Sequence, residues 1–119
     1  MPKLLTLETY KDNRGSLTVI EKDIPFLIKR VFYIYDVDKS ERGRHKHKKT
    51  IQALIVVSGS CSVFVENECE TKEYKLSSPT ECLILYPEDF HWMNNFSENA
   101  VLLVLASEVF DEKDYIYEN

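Results

Sequence analysis

The chain has 119 residues, of which 44% are apolar and 29% are charged, and its formal net charge is −5. This length allows one compact domain, which we place over residues 1–119, and the apolar share excludes a disordered chain. An acidic chain without a long basic run is a poor candidate for binding nucleic acid. The longest apolar run, residues 100–106, is far too short to span a membrane.

The cysteines indicate a reducing environment. Cys61, Cys69 and Cys82 are odd in number and match no zinc-binding spacing. The first residues are too poor in apolar side chains for an export signal. We therefore expect a cytoplasmic protein whose thiols are buried and unreactive.

Short runs rich in β-branched, leucine and aromatic side chains recur along the chain and are separated by turn-forming residues. Their lengths are mostly typical of strands. The runs cover residues 17–20, 26–37, 51–57, 61–65, 82–86 and 101–105. With no long amphipathic helix among them, they predict an all-β sandwich or barrel.

Three local patterns refine this prediction. Ser58-Gly59-Ser60 joins two apolar runs and predicts a tight hairpin. The acidic stretch at residues 108–115 is poor in strand formers and predicts one helical turn. Along residues 30–37, Tyr33 and Tyr35 share one face of a strand while Arg30 lies on the other. The tyrosines either line a cavity or pack in the core.

Residues 42–47 read Arg-Gly-Arg-His-Lys-His, so His45 and His47 lie two positions apart. Side chains two apart on a strand point to the same face, and two imidazoles aimed at one point suit proton transfer or metal binding. The basic residues between Lys39 and Lys49 suit a small anionic ligand; the alternative is a solvated loop.

The spacing of His45 and His47, followed by Gln52 and Gly59 and later by His91, resembles the paired motifs of the cupin superfamily. That resemblance implies a double-stranded β-helix, or jelly roll. Metal-binding cupins place a glutamate at the position of Gln52, and a carboxamide is a weak, uncharged ligand. We therefore predict no metal and no other cofactor. The alternative is that the histidines are only structural.

A closer resemblance covers nearly the whole chain. Residues 25–37, the Arg-Gly-Arg-His-Lys-His segment, residues 103–107 and the Asp-Tyr-Ile tail at 114–116 resemble the dTDP-4-keto-6-deoxyhexose 3,4-ketoisomerase family. The resemblance implies a cytoplasmic enzyme of deoxysugar biosynthesis. It would move the ketone of a dTDP-linked 4-keto-6-deoxyhexose from C4 to C3 without a cofactor.

The resemblance and the chemistry together give a set of candidate site residues. Acid–base catalysis is assigned to His45 and His47, with Tyr33 as a third catalytic group, and which histidine is the base stays open. The residues expected to bind substrate are Arg42, Tyr35, Gln52, Arg30 and His91. Arg30 has the alternative of a surface ion pair, and His91 that of a core histidine.

Other functions remain open on the sequence alone. They are a metal-dependent cupin enzyme, a non-catalytic module that binds sugar nucleotides, and a 3,5-epimerase, although no His–Asp pairing is evident. We expect a homodimer, because a small jelly roll has sheet edges to cover and the strand near residues 4–7 is able to cross to a partner.

Overall fold

The structure is a computed structural model that describes residues 1–68 and 70–119. It contains twelve strands in the described residues, together with one 3-10 turn at Glu112–Asp114. The strands are β1 Lys3–Thr6, β2 Thr9–Asp12, β3 Gly15–Thr18, β4 Arg30–Tyr35, β5 Arg42–His47, β6 Gln52–Ser58, β7 Cys61–Asn67, β8 Glu70–Leu76, β9 Glu81–Leu85, β10 Phe90–Asn94, β11 Val101–Ala106 and β12 Tyr115–Ile116. No helix in this part of the chain is long and apolar enough to cross a membrane.

Two five-stranded antiparallel sheets build the fold. One has the order β1-β9-β6-β11-β4 and the other the order β12-β5-β10-β7-β8, while β2 and β3 form a separate hairpin. All six apolar runs that predicted strands overlap strands of the structure, and the predicted helical turn is present as the 3-10 turn. The all-β jelly-roll prediction is confirmed.

The main core lies between the two sheets. Strand β6 contributes Leu54 and Val56, and the facing sheet contributes Val63 and Val65 from β7. A second cluster covers the outer face of the first sheet, where Ile55 of β6 packs with buried apolar side chains of the N-terminal segment. Strand β6 is therefore buried on both faces, which explains why its sequence is apolar without alternation.

The hairpin predicted at Ser58-Gly59-Ser60 is wrong. Strand β6 pairs with β9 and β11, whereas β7 pairs with β8 and β10, so this turn carries the chain from one sheet to the other. Gly59 has φ +72°, and a Cβ there would collide with Ser97 Oγ and lie 2.8 Å from Ala100 Cα. Glycine is required at this position because the chain passes close to Ser97 and Ala100 where it crosses between the sheets.

Two further expectations concern the thiols and the N-terminal strand. Cys61 and Cys82 are buried, and burial raises the pKa of each thiol to about 11, so both are unreactive as predicted. Cys69 lies outside the described residues.

The N-terminal strand stays within its own chain: strand β1 pairs with β9, with Leu4 opposite Leu83. The strand near residues 4–7 therefore pairs within its own chain in this structure and does not cross to a partner subunit.

Candidate active site

A cavity of about 220 Å³ lies between the two sheets. Strands β4, β6 and β11 form one wall, and β5, β10 and β12 form the other. The residues that line it are Arg30, Phe32, Ile34, Arg42, Gly43, His45, Gln52, Leu54, His91, Met93, Val104 and Tyr115. The cavity is therefore apolar at its base and carries imidazole, guanidinium, amide and phenol groups.

A β-bulge aims the β5 side chains into this cavity. His91 pairs with His45, but Trp92 pairs with Gly43, so Arg44 is an extra residue with φ +67°. The bulge shifts the alternation by one position, which places Arg42 on the same wall as His45. Gly43, at φ +89°, leaves room that a side chain would fill, because a Cβ there would lie 3.3 Å from the His91 carbonyl oxygen.

Three imidazoles cluster at this wall. The ring centroid of His45 lies 5.0 Å from that of His47 and 5.0 Å from that of His91, and the last two are 6.3 Å apart. The prediction that His45 and His47 point to one place is therefore confirmed in geometry. Their surroundings differ, however: His45 lines the cavity, whereas His47 is not among the lining residues and is only 5% exposed.

His47 is held by a buried carboxylate from the C-terminal segment. Its Nδ1 lies 2.8 Å from Asp114 Oδ2, and Asp114 also accepts hydrogen bonds from the backbone N–H groups of Lys48 and Lys49 and from the Thr50 hydroxyl. Within the described residues, His47 Nε2 is the buried side-chain nitrogen that lacks a hydrogen-bond partner. The His–Asp pairing that the sequence did not reveal is therefore present.

Burial keeps the three histidines neutral at physiological pH. Desolvation lowers the pKa of His45 to about 4 and that of His91 to about 3, and neighbouring imidazoles add to both shifts. Burial also lowers the pKa of His47, but the hydrogen bond and charge of Asp114 oppose that shift. His91 Nδ1 donates to the Asp89 carbonyl oxygen at 3.0 Å, which leaves the other ring nitrogen able to accept a proton.

The predicted substrate-binding residues divide into two groups. Arg42, Gln52, Arg30 and His91 line the cavity together with His45. Tyr33 and Tyr35 do not: they lie on the outer face of β4 and are 62% and 58% exposed. The predicted alternation of β4 is present, but the arginine face is the one that turns inward, so the geometry gives these tyrosines no contact with the cavity.

Sequence reasoning missed the phenol that does line the cavity. The Tyr115 ring contacts His45 and His47 at centroid distances of 4.8 and 4.7 Å, and Tyr115 pairs with His47 in the β5–β12 ladder. Arg30 Nη1 lies 3.5 Å from the Tyr115 hydroxyl, and its guanidinium stacks over Phe32 at 4.4 Å. The Asp-Tyr-Ile tail was the available signal, but it gave no side-chain direction.

The donor set does not fit a cupin metal. Gln52 lines the cavity at the position of the metal-binding glutamate and offers only a neutral amide oxygen, which is a weak ligand for a divalent cation. No group of three or more histidine, cysteine or acidic side chains within residues 1–68 and 70–119 is arranged to hold a metal ion. We derive no step through a metal.

Comparisons with known proteins agree with this geometry. The family described as "FdtA: WxcM-like, C-terminal" matches residues 1–119. The TDP-4-oxo-6-deoxy-alpha-D-glucose-3,4-oxoisomerase of Aneurinibacillus thermoaerophilus is 44% identical over 98% of this chain and 88% of its own length.

Solved structures give the same match. QdtA, a sugar 3,4-ketoisomerase from Thermoanaerobacterium thermosaccharolyticum in complex with TDP, is 44% identical with a TM-score of 0.95, over 98% of this chain and 88% of its own. A His-to-Asn mutant of that enzyme, in complex with TDP-4-keto-6-deoxyglucose, is 43% identical with a TM-score of 0.95, over 98% and 87% of the two chains. The resemblance seen in the motifs is confirmed, and this chain belongs to the FdtA-type family of sugar-nucleotide 3,4-ketoisomerases.

Proposed function

We propose that this protein isomerises a TDP-linked 4-keto-6-deoxyhexose to its 3-keto isomer and that His45 and His47 carry the protons. The observation that carries the proposal is the cluster of neutral imidazoles: His45 lines the cavity, and the ring of His47, whose buried Nε2 has no hydrogen-bond partner among the described residues, has its centroid 5.0 Å from that of His45. Neutral imidazoles are able to accept a proton without first losing one.

The reaction needs three proton movements and no net oxidation. A base removes the proton from C3, which is acidified by the C4 ketone, and the electron pair forms an enediolate with the negative charge on O4. A proton then moves from O3 to O4, and a proton is finally delivered to C4 as the C3 ketone forms. We assign the carbon-bound protons to His45, because it lines the cavity, and the exchange between the oxygens to His47.

The remaining cavity groups suit the charges of this substrate. Arg42 lines the cavity, and we assign it to the diphosphate because a guanidinium binds phosphate through paired N–H donors. Gln52, Arg30 and Tyr115 are the neighbouring donors for the sugar oxygens and for the enediolate. A wider surface hollow of about 580 Å³ is lined by Glu66, Glu68, Glu70 and neutral polar side chains, which would repel a diphosphate.

The test is incubation with TDP-4-keto-6-deoxyglucose in deuterated water, followed by NMR. We expect a product with its ketone at C3 and deuterium at C4. Exchange at C3 and C5 with the ketone still at C4 would indicate a 3,5-epimerase instead, and TDP binding without any exchange would indicate a non-catalytic module. Treatment with a chelator should leave turnover unchanged. A loss that one specific metal restores would overturn the metal-free mechanism.

We also propose that the protein is a homodimer and that residues 1–119 form one domain. The two sheets share one core, which supports a single domain.

The dimer proposal rests on strand β4, an edge strand whose outer face exposes Val31, Tyr33 and Tyr35. An apolar, aromatic edge of this kind favours pairing with a second copy. Sedimentation should give a dimer that Tyr33→Glu weakens, and a 14 kDa species alone at micromolar concentration would contradict it. The cytoplasmic location stays a prediction.

A further inference from the structure

We infer that Asp114 is a positioning residue for the isomerisation. It fixes His47 in the tautomer that carries its proton on Nδ1, and it stabilises the positive charge that His47 acquires when Nε2 takes up a second proton. This inference rests on the proposed function, because it names the group that prepares one of the two histidines for proton transfer.

Groups other than His47 hold the Asp114 carboxylate in place. Asp114 is 4% exposed, and its Oδ1 accepts from the backbone nitrogen of Lys48 at 3.1 Å and from that of Lys49 at 2.8 Å. The Thr50 hydroxyl also donates to it. Burial alone would raise the pKa of Asp114, but these donors and His47 outweigh burial and the pKa is lowered. The carboxylate therefore stays ionised and cannot rotate freely.

A fixed, ionised carboxylate determines the tautomer of its neighbour. Asp114 Oδ2 can only accept, so His47 Nδ1, at 2.8 Å, must be the donor. The lone pair of the neutral ring is then on Nε2, which is buried and has no partner in the described part of the chain. A buried nitrogen without a partner has lost its hydrogen bond to water and gained none in return, which is unfavourable. An unmet acceptor of this kind, beside a cavity with proton-transfer groups, is suited to receive a proton from substrate.

Among the described residues around His47, only the Asp114 carboxylate can stabilise a positive charge on the imidazole. The titratable and charged groups that face it from the neighbouring elements are Arg30 of β4, His45 of β5 itself, His91 of β10, Tyr115 of β12 and Asp114. Arg30 opposes a positive charge on His47, and the rings of His45 and His91 are neutral. Asp114 is the one carboxylate among these groups.

His91 provides an internal contrast. Its Nδ1 also donates to an oxygen, but that oxygen is the uncharged backbone carbonyl of Asp89. Both ring orientations are therefore fixed by an acceptor, yet only His47 has a counter-charge for the imidazolium. A carboxylate that orients a histidine and stabilises its charged form need not itself take up the proton. Within the same turnover, His47 passes the proton that it took from O3 to O4 and is neutral again.

The test is Asp114→Asn, whose amide oxygen is still able to accept from Lys48 and Lys49 while its charge is gone. We expect turnover to fall by about a hundredfold or more, with KM changed far less. Loss of the carboxylate lowers the pKa of His47 further, so the acidic limb of the kcat profile should move to lower pH by about one unit or more. The matched control is Asp111→Asn, because Asp111 caps the same 3-10 turn through Lys113 and does not contact His47. It should keep wild-type turnover and pH profile.

A merely structural Asp114 predicts a different result. Turnover would then fall together with the melting temperature, and the acidic limb would stay in place. Nitrogen-15 NMR of the histidine rings gives a readout independent of activity: His47 should show the Nδ1–H tautomer in the wild type and lose that preference in Asp114→Asn. An Nε2–H tautomer in the wild type, or an unmoved acidic limb, would overturn the inference. If the wild type did not isomerise the substrate, the proposed function would fail, while the NMR experiment would still decide the role of Asp114.

Discussion

The replacement of His45 by asparagine tests the chemistry most directly, because His45 is the imidazole that faces the cavity. Its ring packs edge to face against His47, His91 and Tyr115 at centroid distances of 5.0, 5.0 and 4.8 Å. Asparagine keeps a polar group of smaller size at this wall but has no nitrogen that takes up a proton. The change therefore removes an acid–base group and leaves Arg42 in place to bind the nucleotide.

The expected loss follows from what one acid–base group contributes. General acid–base catalysis supplies about a hundredfold to ten-thousandfold in rate, which is about 2.7–5.4 kcal/mol of activation free energy. We expect turnover of His45→Asn to fall within that range, and His47→Asn to fall by about a hundredfold or more for the same reason. TDP binding should change by less than about threefold, because we propose that the imidazoles act on the sugar and Arg42 binds the diphosphate.

The assay follows the ketone and the incorporated deuterium by NMR under single-turnover conditions, and calorimetry measures TDP binding. The matched control is Lys46→Ala: Lys46 lies between the two histidines, but its Nζ is 3.2 Å from Asn119 Oδ1, outside the cavity. Circular dichroism verifies that each variant is folded. Folded His45→Asn and His47→Asn proteins with wild-type turnover would refute imidazole acid–base chemistry, and the non-catalytic interpretation would become the better one.

Three further predictions concern the cavity wall. Arg42→Ala should weaken TDP binding by about tenfold or more and change the chemical step less, because we assign its guanidinium to the diphosphate; equal losses in both would contradict that assignment. Tyr115→Phe should lower turnover by about tenfold to a hundredfold by removing a donor to the enediolate, whereas Tyr117→Phe, with an exposed ring that does not line the cavity, should not. Finally, His45 and His91 have pKa values of about 4 and 3 instead of 6.5, so below pH 6.5 the unfolded chain binds protons that the folded chain does not. The free energy of unfolding should therefore fall as the pH is lowered from about 6.5 to 4, by up to about 1.4 kcal/mol per pH unit for the buried His91 and by less for the partly exposed His45, and a melting temperature that is constant over this range would refute their burial as neutral rings.

Most of the strands that the sequence predicted place apolar side chains in a core. Strands β2, β8, β10 and β12 lie outside the predicted runs, and the composition of β8 and β10 shows why. Strand β8 at Glu70–Leu76 is an edge strand that is exposed along most of its length, so charged residues fill it. Strand β10 at Phe90–Asn94 places His91 at the cavity, which interrupts its apolar face. Amino-acid composition indicates whether a strand is buried. Strands β8 and β10 can therefore be identified only from the strands with which they pair.

The error at Ser58-Gly59-Ser60 has a related cause. A short glycine-containing turn between two apolar runs has the same local chemistry whether the second run pairs with the first or crosses to the facing sheet. In the final pairing, β9 and β11 flank β6 while β8 and β10 flank β7. Because β9, β10 and β11 are remote in sequence, the residues around Gly59 do not show which strands will pair.

In the candidate site, too, the sequence predicts the relation between residues of one strand but not the contacts between strands that are distant in sequence. The period of a strand was enough to place His45 beside His47, because both belong to one element. Period alone also showed that Tyr33 and Arg30 lie on opposite faces of β4, but it could not show which face meets the cavity. That depends on β11, which pairs with β4 and turns Arg30 inward.

Asp114 is the extreme case, since 67 positions separate it from His47. Their contact exists because β12 pairs with β5, with Tyr115 opposite His47, and this pairing brings the preceding 3-10 turn against the loop that follows β5. The strand supplies the histidines, but the C-terminal segment supplies the carboxylate and the phenol that give them a defined tautomer and a defined neighbour. We therefore expect acid–base function to depend on the β5–β12 contact, and variants that detach residues 112–116 from β5 should lose turnover even though both histidines remain on their strand.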